Sequence, residues 1–173
     1  PEERPVFMSR SSLRIMVDTN VWVDSLCMRH AGSLPARAFI DRAYDADATL
    51  LFPFHIAKDV LYVTQHELKR QTLEERGSID ADTSRAIFES CLAFVKNMAE
   101  NATPVGADAS DLWLAEKYLK LHRDFEDNLV LTACRRAEVD YLVTNDRKLL
   151  EHADIAAKTP QQMMAILALN GLR

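Results

Sequence analysis

The chain has 173 residues, 48 % of them hydrophobic, which is enough apolar side chain to bury one sizeable core. Its 21 basic against 26 acidic residues leave a formal charge of −5, which excludes indiscriminate, charge-driven binding of nucleic acid. No run of about 18 apolar residues occurs, the opening "PEERP" lacks the apolar core of a secretory leader, and Cys27, Cys91 and Cys134 are too few and too scattered for a disulfide framework or a thiolate metal site.

These features lead us to expect one soluble, intracellular domain over residues 1–173, with a flexible N-terminal segment over 1–12 and no membrane contact. The three cysteines are expected to be reduced core residues. In chain order, "RIMVD" (14–18) is a short continuous apolar run of the kind found in a buried parallel strand. Helical periodicity follows over 21–28 and 36–44, the two separated by Gly32-Ser33-Leu34-Pro35. A second strand pattern, "TLLF", starts at Thr49 and leads into helical patterns over about 54–75 and 81–99, broken at Gly77-Ser78. Two helices of that length form a hairpin too long for a simple crossover and able to project as an arm. Shorter helices are expected over 112–121 and 126–139, then a strand at "YLVT" (141–144) and a short helix at "RKLL" (147–150). Strands alternating with helices predict an α/β fold with a mainly parallel sheet.

Four acids fall at positions that one edge of such a sheet would share. Asp18 closes the first strand in "VDTN", where open parallel sheets bind ligands. Asp146 repeats the arrangement after the strand "YLVT". Each could instead be a helix N-cap, although Thr19 or Asn20 in the first case and Asn145 in the second are neighbours able to cap. Asp127 lies one turn ahead of Val130, Ala133, Cys134 and Ala137, on the face of its helix that should be buried. An ionised carboxylate there is costly unless it is paired or bound to a cation; Asp124 and Glu126 are available for the ordinary first-turn role. Asp59 shares a stripe with Ile56 and Val63 at the start of the long helix. Four carboxylates in one place repel each other, and hard divalent cations with oxygen ligands, Mg²⁺ or Mn²⁺, relieve that repulsion. One or two such ions suit hydrolysis at phosphorus, where they activate water and stabilise the leaving oxygen. No Ser-His-Asp set, Gly-rich phosphate loop or HExxH motif offers another chemistry.

With these residues in place, the chain resembles the PIN domain, the family of metal-dependent ribonucleases that includes the toxins of VapBC-type toxin–antitoxin pairs. The resemblance runs from "IMVDTNVWVD" through "FPFHIAKDVLYV" and "DFEDNLVLTAC" to "DYLVTNDRKLL", with "AAKTPQQMMAIL" matching the last strand and helix. It implies a central parallel sheet of about five strands sandwiched by helices. It also implies catalytic, metal-binding roles for Asp18, Asp59, Asp127 and Asp146, with Asn20 and Thr144 supporting them. The second of the four acids is usually Glu in the family, so Asp59 is one methylene short. The resemblance further implies a cytoplasmic endoribonuclease acting on single-stranded or loop RNA, a homodimer, and, if the chain is a toxin, a cognate antitoxin that grips the hairpin.

From Lys117 to Lys148, seven basic residues stand against six acidic ones, so bound cations would leave that segment positive. Arg147 and Lys148, directly after the last acid, and Arg123 are the candidates for phosphate contact, with Arg135 and Arg136 behind them. Asp24 reads as a solvent-facing residue or a local partner of a basic side chain, Trp22 and Trp113 as core, and the five histidines show no ligand spacing. The competing function is a non-catalytic PIN-like module that binds RNA or protein. A phosphatase of the haloacid dehalogenase type, which needs a second Asp two residues after the first, is opposed by Asn20.

Overall fold

Ile15, Met16 and Val17 are each fully buried, because the strand that carries them is covered on both sides. This strand, β1 (Arg14–Val17), is the centre of a five-stranded parallel sheet. With β2 (Thr49–Pro53), β3 (Thr103–Val105), β4 (Tyr141–Val143) and β5 (Ala157–Lys158), the order is β3-β2-β1-β4-β5. The computed structural model describes residues 12–27, 32–120 and 122–170, so the expected flexible segment 1–12 lies outside the described residues except for Ser12.

Alternation along the strands divides the core in two. Ile15, Val17, Leu50, Phe52 and Val143 point to one side, where they meet α1 (Thr19–Leu26), α2 (Ser33–Asp45) and α8 (Pro160–Asn170). Met16, Leu51 and Leu142 point to the other and pack with Tyr118 of α5 (Ala109–Tyr118), Val130, Leu131 and Cys134 of α6 (Phe125–Arg136) and Leu149 of α7 (Arg147–His152). The expected α/β sandwich is thus present, and all three cysteines are buried and free. No helix among the described residues is long and apolar enough to cross a membrane.

The hairpin is formed by α3 (Ile56–Arg76) and α4 (Ala81–Asn101). At 1.5 Å per residue, α3 is about 31 Å long. Its buried residues, Ile56, Val60 and Thr64, all lie in its first half, so the second half adds nothing to the core and packs along α4. Gly77 ends α3 at φ 76°, its N–H bonded to the Leu73 carbonyl. Nothing lies within 4 Å of where a Cβ would be, so Gly77→Ala tests the backbone alone and is expected to cost about 1 kcal/mol by urea melting.

Several boundaries differ from expectation for identifiable reasons. α2 starts at Ser33 instead of Ala36, since Pro35 sits in the first turn, where no backbone N–H is required. α1 ends at Leu26, with Cys27 as its C-cap, and Met28 lies outside the described residues. α6 stops at Arg136 instead of continuing to Val139 because Glu138 turns left-handed, at φ 48°. Its N–H bonds the Arg135 carbonyl and that of Val139 bonds the Cys134 carbonyl, which closes the helix end without glycine. Trp22 is core as expected, but Trp113 is 58 % exposed. The buried stripe of α5 is Asp111, Ala115 and Tyr118, because Asp111 is paired with Arg136, and this turns Leu112 and Trp113 outward.

Candidate active site

The strand order reverses between β1 and β4: β2 and β3 lie on one side of β1, β4 and β5 on the other. At such a switch point the connections leave in opposite directions and open a crevice beyond the carboxyl ends of the strands. Asp18 follows β1 there and Asp146 follows β4. Asp18 is 6 % exposed and is itself the N-cap of α1, its Oδ1 accepting from the Thr19 N–H at 2.7 Å. Its Oδ2 accepts from Thr144 Oγ1 at 2.7 Å and Asn20 Nδ2 at 2.6 Å. Asp146 is likewise the cap of α7, using Oδ1 alone to accept from the N–H groups of Lys148 and Leu149. The neighbours expected as alternative caps do other work. Asn20 and Asn145 join the two loops, the Asn145 N–H donating to Asn20 Oδ1 at 2.9 Å. Thr144, fully buried, ties both acids together: its hydroxyl donates to Asp18 and accepts from the Asp146 N–H at 2.9 Å.

The other two acids come from helices on either side of the crevice. Asp59 is in the first turn of α3 and Asp127 in the first turn of α6, where Asp124 is the cap. All four carboxylates line one cavity of about 570 Å³. With Asp24, Glu67 and Glu126 the described lining carries seven carboxylates and neither Lys nor Arg. The charge accumulates where it can be felt. Burial, then the carboxylates of Asp124, Asp146 and Asp18, push Asp127 up to about 6. Burial raises Asp18 as well, against its three hydrogen bonds.

A family model described as the PIN domain matches residues 14–148, well over half of the chain. This chain belongs to the PIN-domain family. PIN domains are in general metal-dependent nucleases. No curated protein matches the chain. β5 and α8 lie beyond the matched residues, yet β5 is hydrogen-bonded to β4 in the same sheet.

The donor chemistry of this PIN domain's cavity fits a hard divalent cation: oxygen ligands, a large excess of negative charge, and a carboxylate that burial and neighbouring acids draw toward protonation. The four acids nevertheless do not form a ready-made ligand group. Among the described residues no three His, Cys, Asp or Glu side chains are arranged to hold a metal ion. Asp18 and Asp146 spend oxygens on caps, and Asp59 is paired with Lys58 at 3.1 Å.

The expected phosphate contacts stand apart from the cavity. Arg147 and Lys148 line a separate shallow groove with Asn145, Asp146 and Glu151, and Arg147 lies 3.9 Å from Glu151. Arg123 is exposed and does not line the cavity. Arg135 is held by Asp154, and Arg136 by Asp108 and Asp111 at 2.7 and 2.6 Å. Asp24 lines the cavity and accepts from Asn145 Nδ2 at 2.9 Å. The histidines join no metal-holding group among the described residues, but two of them border the site. His55 and His66 line the cavity with Asp59 and Val63, and burial pushes His55 below the usual imidazole range. Their signal was present in the sequence as the spacing 55, 59, 63, 66, one face of a helix continuing the Ile56–Asp59–Val63 stripe.

Proposed function

We propose that this PIN domain is a divalent-metal-dependent endoribonuclease that hydrolyses phosphodiester bonds in single-stranded or loop RNA, leaving 5′-phosphate and 3′-hydroxyl ends. One observation carries the reading: a cavity at the sheet's switch point with seven carboxylates and neither Lys nor Arg among its described lining. A phosphodiester is itself an anion and gains nothing from such a lining alone. Mg²⁺ or Mn²⁺, one or two ions held by Asp18, Asp59, Asp127 and Asp146, would neutralise the cavity, activate water and stabilise the leaving oxygen. The protein's own groups have defined tasks. Thr144 and Asn20 hold Asp18 from behind, the α6 and α3 first turns present Asp127 and Asp59, and Arg147, Lys148 and Arg123 meet RNA phosphates outside the cavity. Single strands suit the site because their phosphates can enter a crevice that a duplex spans.

A cytoplasmic setting, a homodimer and, for a toxin, an antitoxin partner belong to the same reading. The outer hairpin supports the last two, since Tyr62, Leu73 and Phe88 are exposed there. A non-catalytic PIN-like module is favoured by one observation, the short second acid Asp59 engaged with Lys58. The test is cleavage of a 5′-labelled, partly single-stranded RNA with Mn²⁺, with Mg²⁺ and with EDTA, beside Asp146→Asn. Metal-dependent cutting lost in the variant supports the nuclease. Equal cutting by both proteins identifies a contaminant, and no cutting of several RNAs favours the binding module.

A further inference from the structure

His122 precedes α6 by three residues and is buried, with 9 % of its side chain exposed. Its position is fixed by the backbone: its N–H donates to the Tyr118 carbonyl at 2.8 Å, and its carbonyl accepts from Nδ2 of the fully buried Asn128 at 2.9 Å. The ring is fixed too, since Nδ1 accepts from the Asp124 N–H at 3.3 Å. An imidazole nitrogen that accepts carries no proton, so in the neutral ring the proton sits on Nε2. Among the described residues the buried Nε2 has no hydrogen-bond partner, and it faces Asp127 Oδ2 at 3.5 Å. A buried N–H left unpaired costs about 1–3 kcal/mol, which a native fold avoids unless the group has a use.

We infer that His122 is a positioning residue: its Nε2–H donates to Asp127 and holds that carboxylate toward the cavity. The inference rests on the metal-dependent reading of the cavity and extends it to a residue outside the cavity lining. It needs no change in the charge of His122, because the neutral tautomer is already the donor. Asp124 has a double task, capping α6 through its carboxylate and choosing the tautomer through its N–H. Hydrogen-bonded groups behind metal-binding carboxylates commonly set metal affinity by orienting the oxygen that binds.

Three variants of the full chain separate the possible roles. His122→Gln retains a donor at the place of Nε2, His122→Asn retains only an acceptor for the Asp124 N–H, and His122→Leu retains neither. Long-range ¹H–¹⁵N spectra of the wild type are expected to show the Nε2–H tautomer. Free-Mn²⁺ titration by electron paramagnetic resonance is expected to give an affinity within about threefold of wild type for Gln, and about tenfold or more weaker for Asn and Leu. An Nδ1–H tautomer, or an Asn variant that binds Mn²⁺ as the wild type does, overturns the inference. A wild type that binds no Mn²⁺ counts against the metal-dependent reading instead. The ¹³Cγ shift of Asp127 in the metal-free proteins then decides: a change in Asn and Leu but not in Gln supports the positioning role, and no change in any of them defeats it.

Discussion

In EDTA, Asp127→Asn is expected to melt about 3 °C above the wild type, and with Mn²⁺ restored to cleave RNA about 10³-fold more slowly. The two effects share one cause. Asp127 has a folded-state value of about 6, raised by burial and by Asp124, Asp146 and Asp18. Its value in the unfolded chain is about 3.9. Between these values the native state binds more protons than the unfolded one, so stability falls as pH rises from about 4 to about 6 and remains at the lower level at neutral pH. A shift of about two units would be worth nearly 3 kcal/mol if wholly desolvated. With 21 % of the side chain exposed, solvent screening leaves about 1 kcal/mol. For a chain of this size that is about 2–4 °C. The neutral amide removes the cost. It also removes an anionic oxygen from the proposed cation site, and a loss of about 4 kcal/mol in transition-state stabilisation corresponds to the 10³-fold loss in rate. Differential scanning calorimetry in EDTA from pH 4 to 8 checks the first effect, with the wild-type curve falling toward neutral pH and the variant's flatter. Added Mn²⁺ is expected to raise the melting temperature of the wild type and leave the variant nearly unchanged, because only a ligand of the folded state stabilises it. A variant less stable than wild type in EDTA at pH 7 would show that Asp127 is not under repulsion.

The sequence was legible where one pattern had one physical cause. Ile15–Val17 of β1 and the residues of β4 are apolar without interruption because both faces of the sheet are covered there, and the acids after them stand out against those runs. Asp127 could be found from helical spacing alone. The three residues of β3, one of them Pro104, left no pattern, since an edge strand needs neither length nor a full set of N–H donors. Helix ends made by Asp47 and Glu138 in left-handed conformation were invisible to a search for glycine. Asp18 and Asp146 each cap a helix and line the cavity, because a carboxylate has two oxygens, and sequence alone does not separate the two roles. Trp113 was misplaced because a paired Asp111, not an apolar residue, occupies the buried stripe of α5. His122 is a single loop residue whose value depends on what folds around it, and no spacing announces that.

Thr144→Val is expected to cost about 2–3 kcal/mol in stability and about 10²-fold in RNA cleavage, whereas Thr144→Ser is expected to stay close to wild type in both. Valine has the shape of threonine, so no cavity forms and the change isolates the hydroxyl. That hydroxyl is fully buried and takes part in three hydrogen bonds, donating to Asp18 Oδ2 and accepting from the Asp146 N–H and Asn20 Nδ2. Its removal deprives a buried carboxylate oxygen of one of its two donors and leaves the Asp146 N–H without its acceptor, and buried groups left unpaired cost about 1–3 kcal/mol each. Asn20 still reaches Asp18 at 2.6 Å, which limits the loss. The activity loss follows from the same geometry, because the hydroxyl is the direct link between the carboxylate after β1 and the loop after β4, beside the longer path through Asn20 and Asn145. Loosening the direct link shifts Asp18 relative to Asp146, and a small misplacement of groups that must act together costs about 10²-fold. Urea melts and RNA cleavage of both variants at saturating Mn²⁺ provide the check. A valine variant that loses stability but keeps full activity would mean that the cavity tolerates a loose junction between β1 and β4, and that Asp18 is held well enough by Asn20 and its cap alone.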